Sequence, residues 1–253
     1  MLSDIVFISR NGPRWRDASS DYGPHKTLYN RCKRWGEMGV LLRMMEGLAT
    51  ADADPKTVMI ARPISKRTAR HRACELKGDL GRPIGRIKGG TNTKIYAVTD
   101  ANGRPLSFFM TAGQFSDYIG AAALLDDLSK AQWPLSDRGY DADWFKDALQ
   151  AKGVQPCIPG QRSRLEPIKC DKRRYRRRSR IEIMFGRLKD WRCAAARYDR
   201  CPTVFLFATA LAAPSCFAFK QRALTVPKHW HILTAVLLKL ILDEDQYELR
   251  TAR

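Results

Sequence analysis

No Cys-x-x-Cys occurs in the 253 residues, and the 7 cysteines are scattered at Cys32, Cys74, Cys157, Cys170, Cys193, Cys201 and Cys216. An odd, unpaired set argues against a structural zinc site and against a disulfide framework. Histidine is scarce, with 4 in all. His229 and His231 lie close together without ligand-type neighbours, so they read as core or surface residues. No apolar run reaches the ~18 residues of a membrane-spanning helix. Val204–Phe219 is broken by Pro214, and Ile232–Leu242 is short and carries Lys239. The order of a secretory signal is missing, because Arg10 and Arg14 follow the first apolar residues. A cytoplasmic protein without membrane contact is the expectation. Acids are few: 26 against 45 Lys and Arg, a net charge of +19. That imbalance points to a polyanionic partner, nucleic acid above all.

Apolar residues make up 44% of the chain, enough for a packed core. The length allows one large domain or a main domain with an appendage. Residues 1–50 read as mixed loop and helix, with a turn at Gly23-Pro24, a basic helix to Trp35 and an apolar helix at Leu41–Ala49. This segment is either part of a helix-turn-helix DNA reader or a basic surface helix capping the main domain. Ala51–Pro55 reads as a linker and Lys56–Ile60 as a strand, while 61–90 is rich in Arg, Lys and Gly without a period. Lys94–Thr99 and Leu106–Thr111 form a hairpin across Asp100-Ala-Asn-Gly103. Asp117–Leu128 is an amphipathic helix and Trp133–Leu135 a short strand. Asp143–Lys152 is a helix that Asp141 or Asp143 can cap, and Val154–Ile158 is a strand. After a basic loop at 159–173, Arg174–Trp191 reads as one long helix. A hairpin followed by strand–helix units implies an α/β fold: a mixed sheet with helices on its faces.

Two features carry chemistry. Asp137 ends a strand where the chain turns through Arg138-Gly139-Tyr140-Asp141, a common place for site acids. Tyr175, Arg178, Glu182 and Lys189 follow as Tyr-x2-Arg-x3-Glu-x6-Lys. At about 100° per residue they fall within a helical stripe roughly 60° wide. A carboxylate beside cations and a phenol suits phosphate and metal. Asp137 and Glu182 converging on a sheet edge can bind Mg²⁺, which takes oxygen ligands, and paired ions serve phosphodiester chemistry. The run 172–180 holds 7 cations in 9 residues, including Arg174, Arg176, Arg177, Arg178 and Arg180. So dense a patch repels itself without a polyanion, which favours DNA contact.

Together these motifs resemble bacterial insertion-sequence DDE transposases. Tyr175-x2-Arg178-x3-Glu182-x6-Lys189 resembles their Y-R-E-K signature, and Leu135–Phe145 their second-aspartate motif. Trp15–Trp35 and Lys88–Asp100 are also similar to the insertion-sequence-five group, so the resemblance spans roughly residues 5–213 apart from one gap. It implies a ribonuclease-H-like fold with a small N-terminal helical DNA-binding segment. The domains become 1–50 DNA-binding, 51–213 catalytic and 214–253 an atypical tail. It implies strand cleavage and transfer with Mg²⁺ or Mn²⁺, on element terminal repeats and target DNA, by a homo-oligomer. Asp137 would be the second catalytic carboxylate and Glu182 the third, both metal ligands, while Tyr175, Arg178 and Lys189 support or contact DNA.

The chain departs from that family at the first carboxylate. Family members read V-M-I-D-A-T there, whereas this chain reads Val58-Met59-Ile60-Ala61-Arg62-Pro63. Back-translating the family segment and deleting one base from the aspartate codon yields the run at 61–76, so this stretch reads as a frameshift scar with Ala61 in the aspartate's place. Pro63 lacks the donor of a central strand, so the first strand should stop by Arg62. Pro214–Arg253 continues without a family motif, consistent with a second frameshift or read-through, and Leu233–Leu242 could form an apolar helix. The start resembles the downstream half of a split-frame gene. The expected function is a transposase impaired by loss of its first aspartate. The alternatives are a catalytically dead DNA-binding regulator or inhibitor of transposition, and a ribonuclease-H-like nuclease acting on another nucleic acid.

Overall fold

The computed structural model describes residues 2–41, 57–61, 64–66, 85–87, 90–113, 131–161, 170–196 and 201–213, with scattered positions between. The strands among them are β1 (Thr57–Ala61), β2 (Ile64–Lys66), β3 (Gly85–Ile87), β4 (Gly90–Asp100), β5 (Pro105–Ala112) and β6 (Trp133–Leu135). They form one sheet around β4. The hairpin of β4 and β5 stands where expected, though both strands run longer. Its turn closes because Gly103 adopts φ 82°, a left-handed conformation natural to glycine. The Asp100 carboxylate accepts the Asn102 and Arg104 amides, both at 2.8 Å.

On the other edge of β4, β1 pairs antiparallel, and β6 then joins β1 in parallel. Cys157 bridges Leu135 of β6, again in parallel. The order β5–β4–β1–β6–Cys157 makes a mixed sheet, as expected. The strand expected at Val154–Ile158 is reduced to that one bridge.

β1 ends at Ala61, in line with the expected stop by Arg62, and positions 62 and 63 lie outside the described residues. Ala61 pairs with Ala97, and Ile64 pairs with Lys94 of the same strand, so β2 resumes in unbroken register. β6 flanks only Thr57–Met59. β2 and β3 both fall in the stretch that shows no period, because β4 rather than their own pattern organises them.

Val58 and Ile60 face a core shared with Tyr96, Val98, Phe145 and Leu149. Tyr96 stacks on Phe109 at 4.5 Å between centroids. The other face is met by α5 (Ser179–Leu188), which buries Ile181, Met184, Phe185 and Leu188. Before it come α3 (Asp143–Ala151) and α4 (Lys172–Tyr175). The expected single helix over Arg174–Trp191 is broken, since a 3₁₀ turn at Arg176–Arg178 separates α4 from α5 and α5 ends at Leu188. Asp171 caps α4 and pairs with Arg174, but the following Arg176 and Arg177 are like charges, and the next opposite partner is Glu182, paired with Arg178.

At the N-terminal end, α1 (Leu2–Asn11) and α2 (His25–Glu37) pack on α6 (Arg192–Ala195) and α7 (Pro202–Ala212). α2 buries Leu28, Cys32 and Trp35 and exposes Lys26, Lys33 and Arg34. Trp35 stacks on Phe207, and Gly36 lies so near Thr203 that an added Cβ would meet it at 2.8 Å. The turn at Gly23 has φ 87° and the helix follows Pro24, as the sequence suggests. Positions 41, 43 and 45 are helical. The rest of Leu41–Ala49, most of Asp117–Leu128, most of the 61–76 stretch and the expected helix at Leu233–Leu242 lie outside the described residues.

Candidate active site

Asp137 lies two residues past the end of β6 and caps the 3₁₀ turn Arg138–Tyr140, its Oδ1 accepting the Gly139 amide at 2.9 Å. That leaves Oδ2 facing Arg178, whose Nη2 donates to it at 3.4 Å. The same guanidinium reaches Glu182 Oε1 through Nη1 at 3.0 Å. The turn after β6 and α5 are thus joined through one arginine that is only 16% exposed. Asp137 and Glu182 themselves remain open to water, at 38% and 58%.

The turn carrying Asp137 is held from its far end. Asp141 does not cap α3, whose N-cap is Ala142. Its carboxylate is fully buried and takes Lys146, the Gln161 amide at 2.6 Å and Arg164 Nε at 2.7 Å. Arg164 also pairs with Asp143. Burial by itself pushes the Asp141 carboxyl up, but hydrogen bonds from Arg164, Lys146 and the Gln161 amide bring it down to about 2. No sequence spacing pointed to Arg164 or Gln161, which sit in a loop read only as basic.

The basic run divides by what each side chain touches. Arg174 lies 3.5 Å over the Trp133 ring and pairs with Asp171. Arg180 donates to the Ala101 carbonyl at 2.6 Å and to Asn102 Oδ1 at 3.1 Å, tying α5 to the hairpin turn. Lys172, Arg173, Arg176 and Arg177 are exposed. Tyr175 is half-buried and Lys189 exposed just past α5. Among the described residues, neither makes a hydrogen bond or ion pair with Asp137 or Glu182.

The sheet register bears on the surroundings of Asp137. Met59 pairs with Leu135 in the parallel β1–β6 ladder. The ladder ends at that pair, with Ala61 two residues beyond it on one side and Asp137 two residues beyond it on the other. Strand alternation puts Ala61 on the side of Met59, away from Val58 and Ile60 and towards α5. Ala61 is 3% exposed and offers no ligand. Among the described residues, no group of three or more His, Cys, Asp or Glu is placed to hold a metal ion. No described helix is long and apolar enough to cross a membrane.

Residues 71–213, more than half of the chain, match the family model described as "Transposase DDE domain". The chain belongs to the DDE transposase family. A Brucella ovis protein described as a transposase for insertion sequence element IS6501 is 33% identical over 117 residues, 45% of this chain and 88% of that protein. One for element IS402 from Burkholderia cepacia is 31% identical over 92 residues, 32% of this chain and 43% of that protein. Among solved structures, the Mos1 strand transfer complex aligns with TM-score 0.28 and 9% identity, over 88% of this chain and 78% of that one; nothing is read from so weak a likeness. This transposase is therefore of the bacterial insertion-sequence kind, an enzyme of DNA transfer by family, and its family match begins after β1 and Ala61.

Proposed function

We propose that this transposase binds insertion-sequence ends and target DNA and is impaired in strand cleavage, because its acidic site is one carboxylate short. The supporting observation is the alanine at position 61, the last residue of β1 and two residues past the final β1–β6 pair, as Asp137 is on the neighbouring segment. The family's cleavage uses a divalent metal, Mg²⁺ or Mn²⁺, held by carboxylate oxygens. The donor set here does not fit that group: Asp137 and Glu182 are present, Arg178 pairs with both, and the third position carries a methyl group. What the chain's own residues can do is bind phosphate. Lys172, Arg173, Arg176 and Arg177 are exposed cations on the segment leading into α5, and Lys189 adds a charge at the far end of α5. The exposed Lys26, Lys33 and Arg34 of α2 suit a second DNA contact from the 1–50 segment. Two element ends call for at least a homodimer on the DNA.

The guanidinium between the acids favours one further reading of the same surface, a non-cleaving regulator that occupies element ends. The full chain is tested on terminal inverted repeats with Mg²⁺ or Mn²⁺. Salt-sensitive, end-preferring binding is expected, with nicking at least ~100-fold below that of the Ala61→Asp variant and abolished in Ala61→Asp/Asp137→Ala. Nicking by the natural chain that matches the Ala61→Asp variant would sink the impairment. Equal affinity for ends and random duplex would sink the transposition role. No nicking even in the Ala61→Asp variant would favour the regulator.

A further inference from the structure

Arg178 is expected from its motif to contact DNA, yet its ion-pair partners are both acids. Its fork is aimed through both terminal nitrogens, one to Asp137 and one to Glu182, while Nε is buried without a hydrogen bond. Both oxygens of Asp137 are engaged, Oδ1 by the Gly139 amide and Oδ2 by Arg178. Among the described residues no other cation touches either acid. Two facing carboxylates without a counter-charge disfavour joint ionisation, and a planar, permanently charged guanidinium meets both at once in a way an ammonium cannot.

We propose that Arg178 is the resident counter-ion of the Asp137–Glu182 pair and closes it to divalent cations. This rests on the reading that the site is one carboxylate short, because a third acid would leave one ligand free for an entering ion. With Ala61 in that place, a divalent ion must displace the guanidinium from both acids and gains two ligands at most. Arg178 is in this sense a positioning residue, since it fixes the strand end to α5 by charge in the way a bound ion would.

The test is Mn²⁺ binding to the full chain without DNA, followed by the electron paramagnetic resonance of free Mn²⁺. The natural chain is expected to show no binding below about 1 mM that Asp137→Asn removes. Arg178→Gln is expected to bind Mn²⁺ at least ~10-fold tighter, and adding Asp137→Asn to it to abolish that gain. Thermal melting checks that the variant is folded. Should it not be, Arg178→Lys carries the test: an ammonium can hold only one acid, so at least ~3-fold tighter binding is expected. Unchanged affinity in the folded variants would overturn the proposal, as would tight Asp137-dependent binding by the natural chain. Because the readout needs neither DNA nor turnover, its failure is separable from a failure of end binding or nicking.

Discussion

Replacing Asp141 by Asn probes the anchor of the Asp137 turn. The Asp141 side chain is 0% exposed, and its three donors are Lys146, at 13% exposure, the Gln161 amide and Arg164 Nε. An asparagine keeps one acceptor oxygen but turns an N–H₂ towards donors, leaving Lys146 or Arg164 unpaired. Breaking a buried pair from one side costs about 3–5 kcal/mol. Arg164 is 28% exposed and can fall back on Asp143 and water, so about 2–4 kcal/mol is expected here. The proton linkage gives a consistent figure, since a carboxyl lowered from 3.8 to about 2 contributes about 2 kcal/mol at neutral pH. The group is depressed in the folded state, so its contribution is complete above about pH 4 and is lost as pH falls towards 2. Urea unfolding followed by tryptophan fluorescence, from pH 7 to pH 2.5, should show the natural chain more stable by the stated amount, with the gap narrowing below pH 4. At neutral pH the melting temperature should drop by roughly 4–16 °C. A difference under ~0.5 kcal/mol, or one that stays constant across the acid range, would refute the idea that this carboxylate is the anchor.

Other expectations follow from the same contacts. Gly103→Ala places a Cβ 2.8 Å from the Arg180 carbonyl at φ 82° and should cost at least ~1 kcal/mol in denaturant unfolding. Arg174→Ala removes the cation over Trp133 and should cost about 1 kcal/mol, read in the same assay, while changing DNA affinity less than Arg176→Gln. The double change Arg176→Gln/Arg177→Gln should leave the melting temperature within ~2 °C and reduce the slope of log affinity against log salt by about 2. Arg180→Ala should do the opposite, lowering stability through the lost hairpin contact with little change in slope.

The hairpin was legible because its turn residues dictate backbone conformation locally: Asp100 and Gly103 would close that turn in almost any context. Asp137 was legible for a similar reason, lying where a strand meets a glycine-containing turn. Glu182 could be placed near it only by motif, because a helix stripe says nothing about which sheet edge it meets. The regular stripe itself was an idealisation, since the 3₁₀ turn at Arg176–Arg178 shifts Tyr175 relative to Glu182. Three of the arginines assigned to DNA proved to have intramolecular partners, which charge density alone cannot reveal: Trp133 and Asp171 for Arg174, the two acids for Arg178 and the hairpin turn for Arg180. β2 and β3 were invisible because their pairing is imposed by β4, whose eleven residues serve as a common template.

That template has a consequence for how such a gene decays. Backbone hydrogen bonds to β4 do not depend on which side chains β1 and β2 carry, so the strand can keep its lane while its letters are rewritten. Chemistry has no such buffer, because a ligand oxygen is either attached at position 61 or absent. A reading-frame accident in this stretch would therefore erase activity long before it erased architecture. Descendants of a mobile element could persist as well-folded DNA-binding relics, with one restored residue at position 61 as the natural place to look for reversion.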